Sequence, residues 1–399
     1  MTSEFVYDTQ VPTVTVTSPS GADAYLGTLG YISGISADNN SLGEIKETYL
    51  RVKNQSNGQY WSWGTQNYTI ASAEAAWFVV STTETVPYSK WFSTGTPPGA
   101  PTGVNLVGGL AYEINSRTQD KAGNYNLVYS TRVITYDIHK PTGAVSGLAG
   151  SAPSAYQRQI SPVSGPGFDG PSGGAAGLAL IDAGGSQARI LEKETGKWWN
   201  NGDNIFNMPD GNVAWFNANS GTSESWSYAH GSLNGALVTG RNYLVQYRGR
   251  DKTVPANQGP SSDGSDSAFT LAKDSVTFIA DTVVPVSRVL SPADNSKLKA
   301  VTVISGTAAD ALSGIASAAQ IYVSIQEAGP GSGWWNGVAP GTFTGTTETF
   351  YPVSGATLGG AYDGSSAWSF SAPLLRDGYS YRVRVWAVDN AKPGGNVET

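Results

Sequence analysis

A chain of 399 residues with 14% charged residues, 49 Gly and 21 Pro lacks the charged, Ala- and Leu-rich runs of a helical bundle or coiled coil. Twelve Trp, 20 Tyr and 11 Phe supply apolar surface for several cores and exclude wholesale disorder. A net charge of −7 argues against nucleic acid, whose phosphates would be repelled.

No apolar run reaches the ~20 residues a membrane helix needs, and the absence of cysteine removes disulfides, thiol chemistry and zinc–thiolate sites. The N-terminal MTSEFVYDTQ has neither the basic start nor the apolar core of a secretion signal. Export would therefore rest on a signal removed from this segment or lying upstream of it.

Taken in chain order, one series of landmarks occurs three times. It opens with D-x-x-x-P at Asp8/Pro12, Asp137/Pro141 and Asp281/Pro285. A short β-type stretch follows, then [IV]-S-G-x-x-x-D ending at Asp38, Asp169 and Asp310. Next come the aromatic pairs Tyr60-Trp61, Trp198-Trp199 and Trp334-Trp335, and then Trp77-Phe78, Trp215-Phe216 and Phe350-Tyr351. A lone tryptophan (Trp91, Trp226, Trp368) precedes a long alternating strand that ends in Asp120, Asp251 or Asp389.

The last of these strands, YSYRVRVWAVD, alternates with period two, as a half-buried strand requires. Turn residues separate segments of strand length throughout. The expected fold is all-β: three tandem β-sandwich units in a rod, at residues 1–136, 137–280 and 281–399. Each carries an aromatic-rich insertion between its first aromatic pair and its lone tryptophan.

The D-x-x-x-P opening, the S-G-x-x-x-D turn and the D-x-A-G-N ending (Asp120 to Asn124, loosely DNAKPGGN from Asp389) resemble tandem bacterial immunoglobulin-like repeats. DKTVPAN, in the second unit, departs from that ending. The resemblance spans nearly the whole chain and implies a cell-surface or extracellular setting, in adhesins, surface layers or stalks.

In an immunoglobulin sandwich the B–C and F–G loops share one pole with the start of strand A. That pole would gather Asp8, Asp38 and Asp120; Asp137, Asp169 and Asp251; and Asp281, Asp310 and Asp389. A hard cation such as Ca2+ would relieve the repulsion of three carboxylates, and the repeats this chain resembles are thought to stiffen their linkers in this way. Turn capping by Asp is the other reading.

Trp61, Trp77, Trp199, Trp215 and Trp335 have two readings, as core residues of the sandwiches or as a stacking platform for a surface glycan. GPGFDG (Gly165 to Gly170) matches a dinucleotide fingerprint only outside a strand–helix context, and GPSGG around Ser172 matches a nucleophile elbow without one. The two histidines, His139 and His230, do not recur between units. No enzyme is expected.

Two closing segments, STRVITYD and DSVTFIAD, run into the second and third D-x-x-x-P openings. The opening SEFVYD aligns with their ends, while the third unit stops at Thr399 before any such strand. Glu4, Phe5, Val6 and Tyr7 are thus candidates for strand exchange into the third unit of another copy. A cut from a longer array of neighbouring repeats explains the same pattern. The function expected is that of an extracellular structural rod in a filament, surface layer or giant adhesin. The alternatives are a carbohydrate-binding adhesive module and an accessory region of a secreted hydrolase.

Overall fold

Side-chain alternation sets the long strands. In Leu110–Asp120 the residues Tyr112, Ile114, Ser116, Thr118 and Asp120 point inward and are buried, and Tyr243, Val245 and Tyr247 do the same in Asn242–Arg250. The structure is a computed structural model that describes the chain except residues 1, 22–23, 30, 40–42, 83–87, 93–103, 147, 149–154, 171–175, 181, 261–268, 330, 339–340 and 356–359. For residues 24, 81–82 and 88–92 it describes the backbone alone, so the side chain of Trp91 lies outside the described residues, as does the Ser172 segment.

Every regular element described is a strand, apart from three short 3-10 turns. The strands form three pairs of sheets, and each pair encloses its own apolar cluster. This is an all-β protein of sandwich type. The first pair has four and seven strands, the second four and eight, the third four and three.

In the first large sheet Leu110–Asp120 lies between Ile45–Asn54 and the closing strand Ser130–Tyr136, antiparallel to both. Ala24–Leu26 then adds parallel to the closing strand. The second repeats this with Ser186–Glu192, Asn242–Arg250, Ser275–Ala280 and Tyr156–Gln157. The insertion is a hairpin off the sheet, Tyr60–Ser62 with Asn67–Ile70 and Lys197–Asn200 with Ile205–Met208. In the third, Ser380–Ala387 pairs with Ile321–Ala328, and no closing strand lies beyond it among the described residues.

The S-G step of the turn motif is a packing requirement. A side chain on Gly165 would overlap Ala144 O, and one on Gly306 would overlap Arg288 O, with Trp226 or Trp368 close against the same spot. Glycine lets two backbones and an indole share that place.

A second recurring device was not read from the sequence. The hydroxyls of Tyr112, Tyr243 and Tyr381 accept from the N–H groups of Val107, Val238 and Arg376, at 2.8, 2.9 and 2.7 Å. A tyrosine near the start of a strand, bonded back to the preceding corner, is the tyrosine corner of Greek-key sandwiches. Tyr243 also donates to the buried Glu192, 3.1 Å away. Tyr243→Phe should cost about 1–2 kcal/mol, because a buried carboxylate and an amide each lose a partner. Denaturant unfolding of the second unit measures it, and an unchanged midpoint would remove the corner from the stability argument.

Candidate functional site

The Asp-x-x-x-Pro openings lie where one unit hands over to the next. The Asp137 N–H donates to Leu26 O and the Asp281 N–H to Gln157 O, both at 2.9 Å, so each of these aspartates is tied to the edge strand of the unit before it. The turn after S-G brings in the second carboxylate and the end of the long alternating strand the third. Asp8, Asp38 and Asp120 converge, as do Asp137, Asp169 and Asp251, and Asp281, Asp310 and Asp389. Within each trio one oxygen per carboxylate lies within 4.8 Å of the others.

A fourth residue recurs that the spacing concealed. The side-chain amide of Asn257 donates to Asp251 Oδ2 at 2.7 Å and to Asp137 O at 2.9 Å. Asn396 makes the same two contacts with Asp389 and Asp281, at 2.8 and 2.9 Å. Asn124 does so with Asp120 and Asp8, at 2.9 and 3.2 Å. DKTVPAN therefore ends in the same asparagine as the other two units, and its departure is one of loop length alone. The common signal was a terminal Asn at variable distance from the Asp.

The hydrogen bonds separate two roles among the carboxylates. Asp251 and Asp389 are buried, and each of their carboxylate oxygens has a hydrogen-bond donor. The amides of Thr253 and Asn257 serve Asp251, and those of Ala391 and Asn396 serve Asp389. Asp137 accepts from the amides of His139 and Ala176 and from the His139 ring, and the ring contact accounts for that histidine structurally. Asp169 differs: both its carboxylate oxygens are buried and make no hydrogen bond. Its pKa is pushed up to about 6 by burial, then by the charges of Asp137 and Asp251, with the nearby Gly177 amide and His139 offsetting only part. Asp281 is raised for the same reason, burial first and its neighbours Asp310 and Asp389 after it.

An orphaned, buried carboxylate facing two others is the environment a cation would relieve. Two oxygens on one calcium ion at about 2.4 Å each lie no more than about 4.8 Å apart, and the three carboxylates of each trio meet that limit. The donors are hard oxygens, with no imidazole or sulfur among the carboxylate ligands, which suits calcium better than zinc or copper. In the second unit Asp137, Asp169 and Asp251 would hold it, with waters completing the shell.

In the second and third units the loop between the terminal Asp and its Asn also docks on the preceding unit. Val254 N–H donates to Tyr25 O at 2.9 Å. At the next joint Lys392 N–H donates to Tyr156 O at 2.9 Å, Arg158 N–H to Lys392 O at 2.7 Å, and the Arg158 guanidinium to Gly395 O at 2.8 Å. Carboxylates, asparagine and docking loop are thus one continuous structure at each joint.

The tryptophans lie elsewhere. Trp61, Trp199 and Trp335 are each 1% exposed and sit in the three cores. A ring so buried offers no face to a sugar, which corrects the stacking reading for these three. Trp77 and Trp215 cover the outer face of the large sheets, half-buried. Arg51 and Arg117 stand over Trp77 at 4.3 and 4.4 Å from the ring centre. Arg189 and Arg248 stand over Trp215 at 4.5 and 4.4 Å. Their rings are occupied by guanidinium groups of their own sheet. Gly165 and Gly167 of the dinucleotide-like string lie inside the strand Val163–Phe168, not in a phosphate-binding loop.

Fold and site together define a β-sandwich protein of tandem units with acidic joints. No family model matches the chain, and no curated protein matches it. Among solved structures it is similar to latent PorU from Porphyromonas gingivalis, at 10% identity and a TM-score of 0.19, covering 98% of this chain and 33% of that one. It is also similar to E. coli alpha-2-macroglobulin, at 10% identity and a TM-score of 0.21, covering 96% and 22%. A third is the alpha-L-rhamnosidase from Dictyoglumus thermophilum, at 8% identity and a TM-score of 0.21, covering 94% and 49%. The chain spans half or less of each. These are large, multidomain β-rich proteins, and likenesses at this level carry no argument about activity.

Proposed function

We propose that this chain is an extracellular structural rod of bacterial immunoglobulin-like units, of the kind found in surface adhesins and stalks, whose joints are set by a calcium ion. The observation that carries the reading is the recurrence of one constellation at the start of every unit: three carboxylates, an asparagine that ties one of them to the backbone carbonyl of another aspartate, and a loop that in the second and third units docks on the unit before. A unit whose task is to hold its neighbour at a fixed angle needs its strongest interactions at the joint. When bound, calcium supplies charge neutralisation. The residues themselves do the positioning: Asn257 ties Asp251 to the Asp137 backbone, and residues 252–257 carry that order across to Tyr25.

We read the chain as non-enzymatic, on the repetition of its joints. Calorimetric titration should show up to three calcium ions bound per chain. Small-angle scattering should show a narrower spread of lengths with calcium than in chelator. Absence of binding, or identical scattering in both conditions, would overturn the cation-set rod.

A further inference from the structure

The joint between the first and second units and the joint between the second and third share a plan but not their fastenings. Among the described residues two hydrogen bonds cross the first joint, from Asp137 N–H to Leu26 O and from Val254 N–H to Tyr25 O. Their equivalents, from Asp281 N–H to Gln157 O and from Lys392 N–H to Tyr156 O, recur at the second. There Arg158 adds two more, its N–H donating to Lys392 O and its guanidinium to Gly395 O. Lys392 thereby extends the large sheet of the second unit beyond its edge strand Tyr156–Gln157. Thr282 adds a further pair, its N–H donating to Thr239 Oγ1 at 2.9 Å and its hydroxyl meeting that of Thr239 at 2.7 Å.

The sequence accounts for the difference. The residue after Gln157 is Arg158, whereas the residue after Leu26 is Gly27. Four residues before the corner tyrosine stands Thr239 in the second unit and Gly108 in the first. Both fastening side chains are thus replaced by glycine at the first joint. The glycines bring backbones close: a side chain on Gly27 would meet Pro255 O at 2.8 Å, and one on Gly108 would meet Ile138 at 2.8 Å. Hydrogen bonds fix direction, whereas close contact alone limits approach and leaves rotation free.

The carboxylates differ in the same sense. At the second joint Asp310 Oδ1 accepts from the amides of Leu312 and Gly314, at 2.9 and 3.0 Å. At the first, both oxygens of its counterpart Asp169 are buried without a hydrogen bond. The joint with fewer protein bonds is therefore the one whose carboxylates have most to gain from a cation.

We propose that the first joint is the hinge of this chain, closed by a cation at Asp137, Asp169 and Asp251, while protein hydrogen bonds alone hold the second joint. The part played by the cation rests on the calcium reading above; the inequality of the two joints does not.

The chain has no cysteine, so spin labels can be placed at equivalent exposed positions. Gln55, Lys193 and Ala328 each follow the residue opposite a corner tyrosine. Gln55→Cys with Lys193→Cys spans the first joint, and Lys193→Cys with Ala328→Cys the second. In chelator, pulsed dipolar spectroscopy should give a distance distribution at least ~2-fold broader across the first joint, since neighbouring domains move unless their interface is extensive. Arg158→Gly combined with Thr239→Gly should broaden the second to match, with calorimetry showing the second and third units still folded. Calcium should narrow the first distribution to the width of the second and leave the second unchanged. Equal widths in chelator, or a second joint unmoved by the double variant, would overturn the hinge. A first joint that stays broad with calcium bound would overturn the cation's part in it. A chain that binds no calcium yet keeps the unequal widths would fail the calcium reading and support the hinge.

Discussion

Asp169→Asn is expected to stabilise the cation-free second unit at neutral pH while abolishing its gain from calcium. The folded pKa of Asp169 is raised, from 3.8 to about 6, so the native state favours the protonated form. The sign follows by linkage. Below about pH 4 the group is protonated whether folded or unfolded, and it costs nothing. Between pH 4 and 6 the unfolded chain ionises more readily, so stability falls as pH rises, and above pH 6 the loss is complete.

A shift of this size corresponds to about 3 kcal/mol at most. Partial exposure screens it, and about 1–2 kcal/mol is the expected loss. Melting curves between pH 4 and 7 in chelator should show this fall in the natural chain and a flatter profile in Asp169→Asn. Calcium should reverse the fall in the natural chain, by about 2.7 kcal/mol at one hundred times its dissociation constant, and leave the variant unmoved. A variant that responds to calcium like the natural chain would remove Asp169 from the site.

Trp199→Ala should have the largest effect on stability, a loss of about 3–5 kcal/mol confined to the second unit. The indole is 1% exposed, meets Phe206 edge-on at 5.4 Å, and its N–H donates to Tyr228 Oη at 3.2 Å. Removing it leaves a cavity and takes from the Tyr228 hydroxyl one of its two partners, Asn201 remaining. Since each sandwich encloses a separate core, the first and third units should retain their own unfolding transitions in calorimetry. Trp215→Ala, on the outer face, should cost about 2 kcal/mol, chiefly its contacts with the guanidinium groups of Arg189 and Arg248. If Trp199→Ala left the second transition in place while a glycan affinity disappeared, the core assignment would give way to a binding one.

The three-fold arrangement and the meeting of the aspartates were legible because both follow from spacing. Landmarks that return in one order must occupy equivalent places in equivalent units, and the poles of a sandwich are fixed by its topology. The joint itself was less legible. Asn257 stands farther along its loop than Asn124 does, so no fixed motif joins them. Only the folded loops show both side chains meeting the same two partners. The tyrosine corner was hidden for a related reason: Tyr112, Tyr243 and Tyr381 read as inward members of an alternating strand, and their hydroxyl bonds depend on where the preceding corner turns.

The aromatics show the limit most plainly. Period two predicts that one member of Trp198-Trp199 faces outward unless something covers it. The fold buries both, because Arg189 stands over the Trp198 ring and Gly211 packs against it. By itself the sequence determined the strand periodicity, the number of units and the residues at their acidic poles, since those are properties of order along the chain. The tertiary structure decided which carboxylate is left without a partner and which rings have a free face, because each depends on what arrives from distant segments to share the same space.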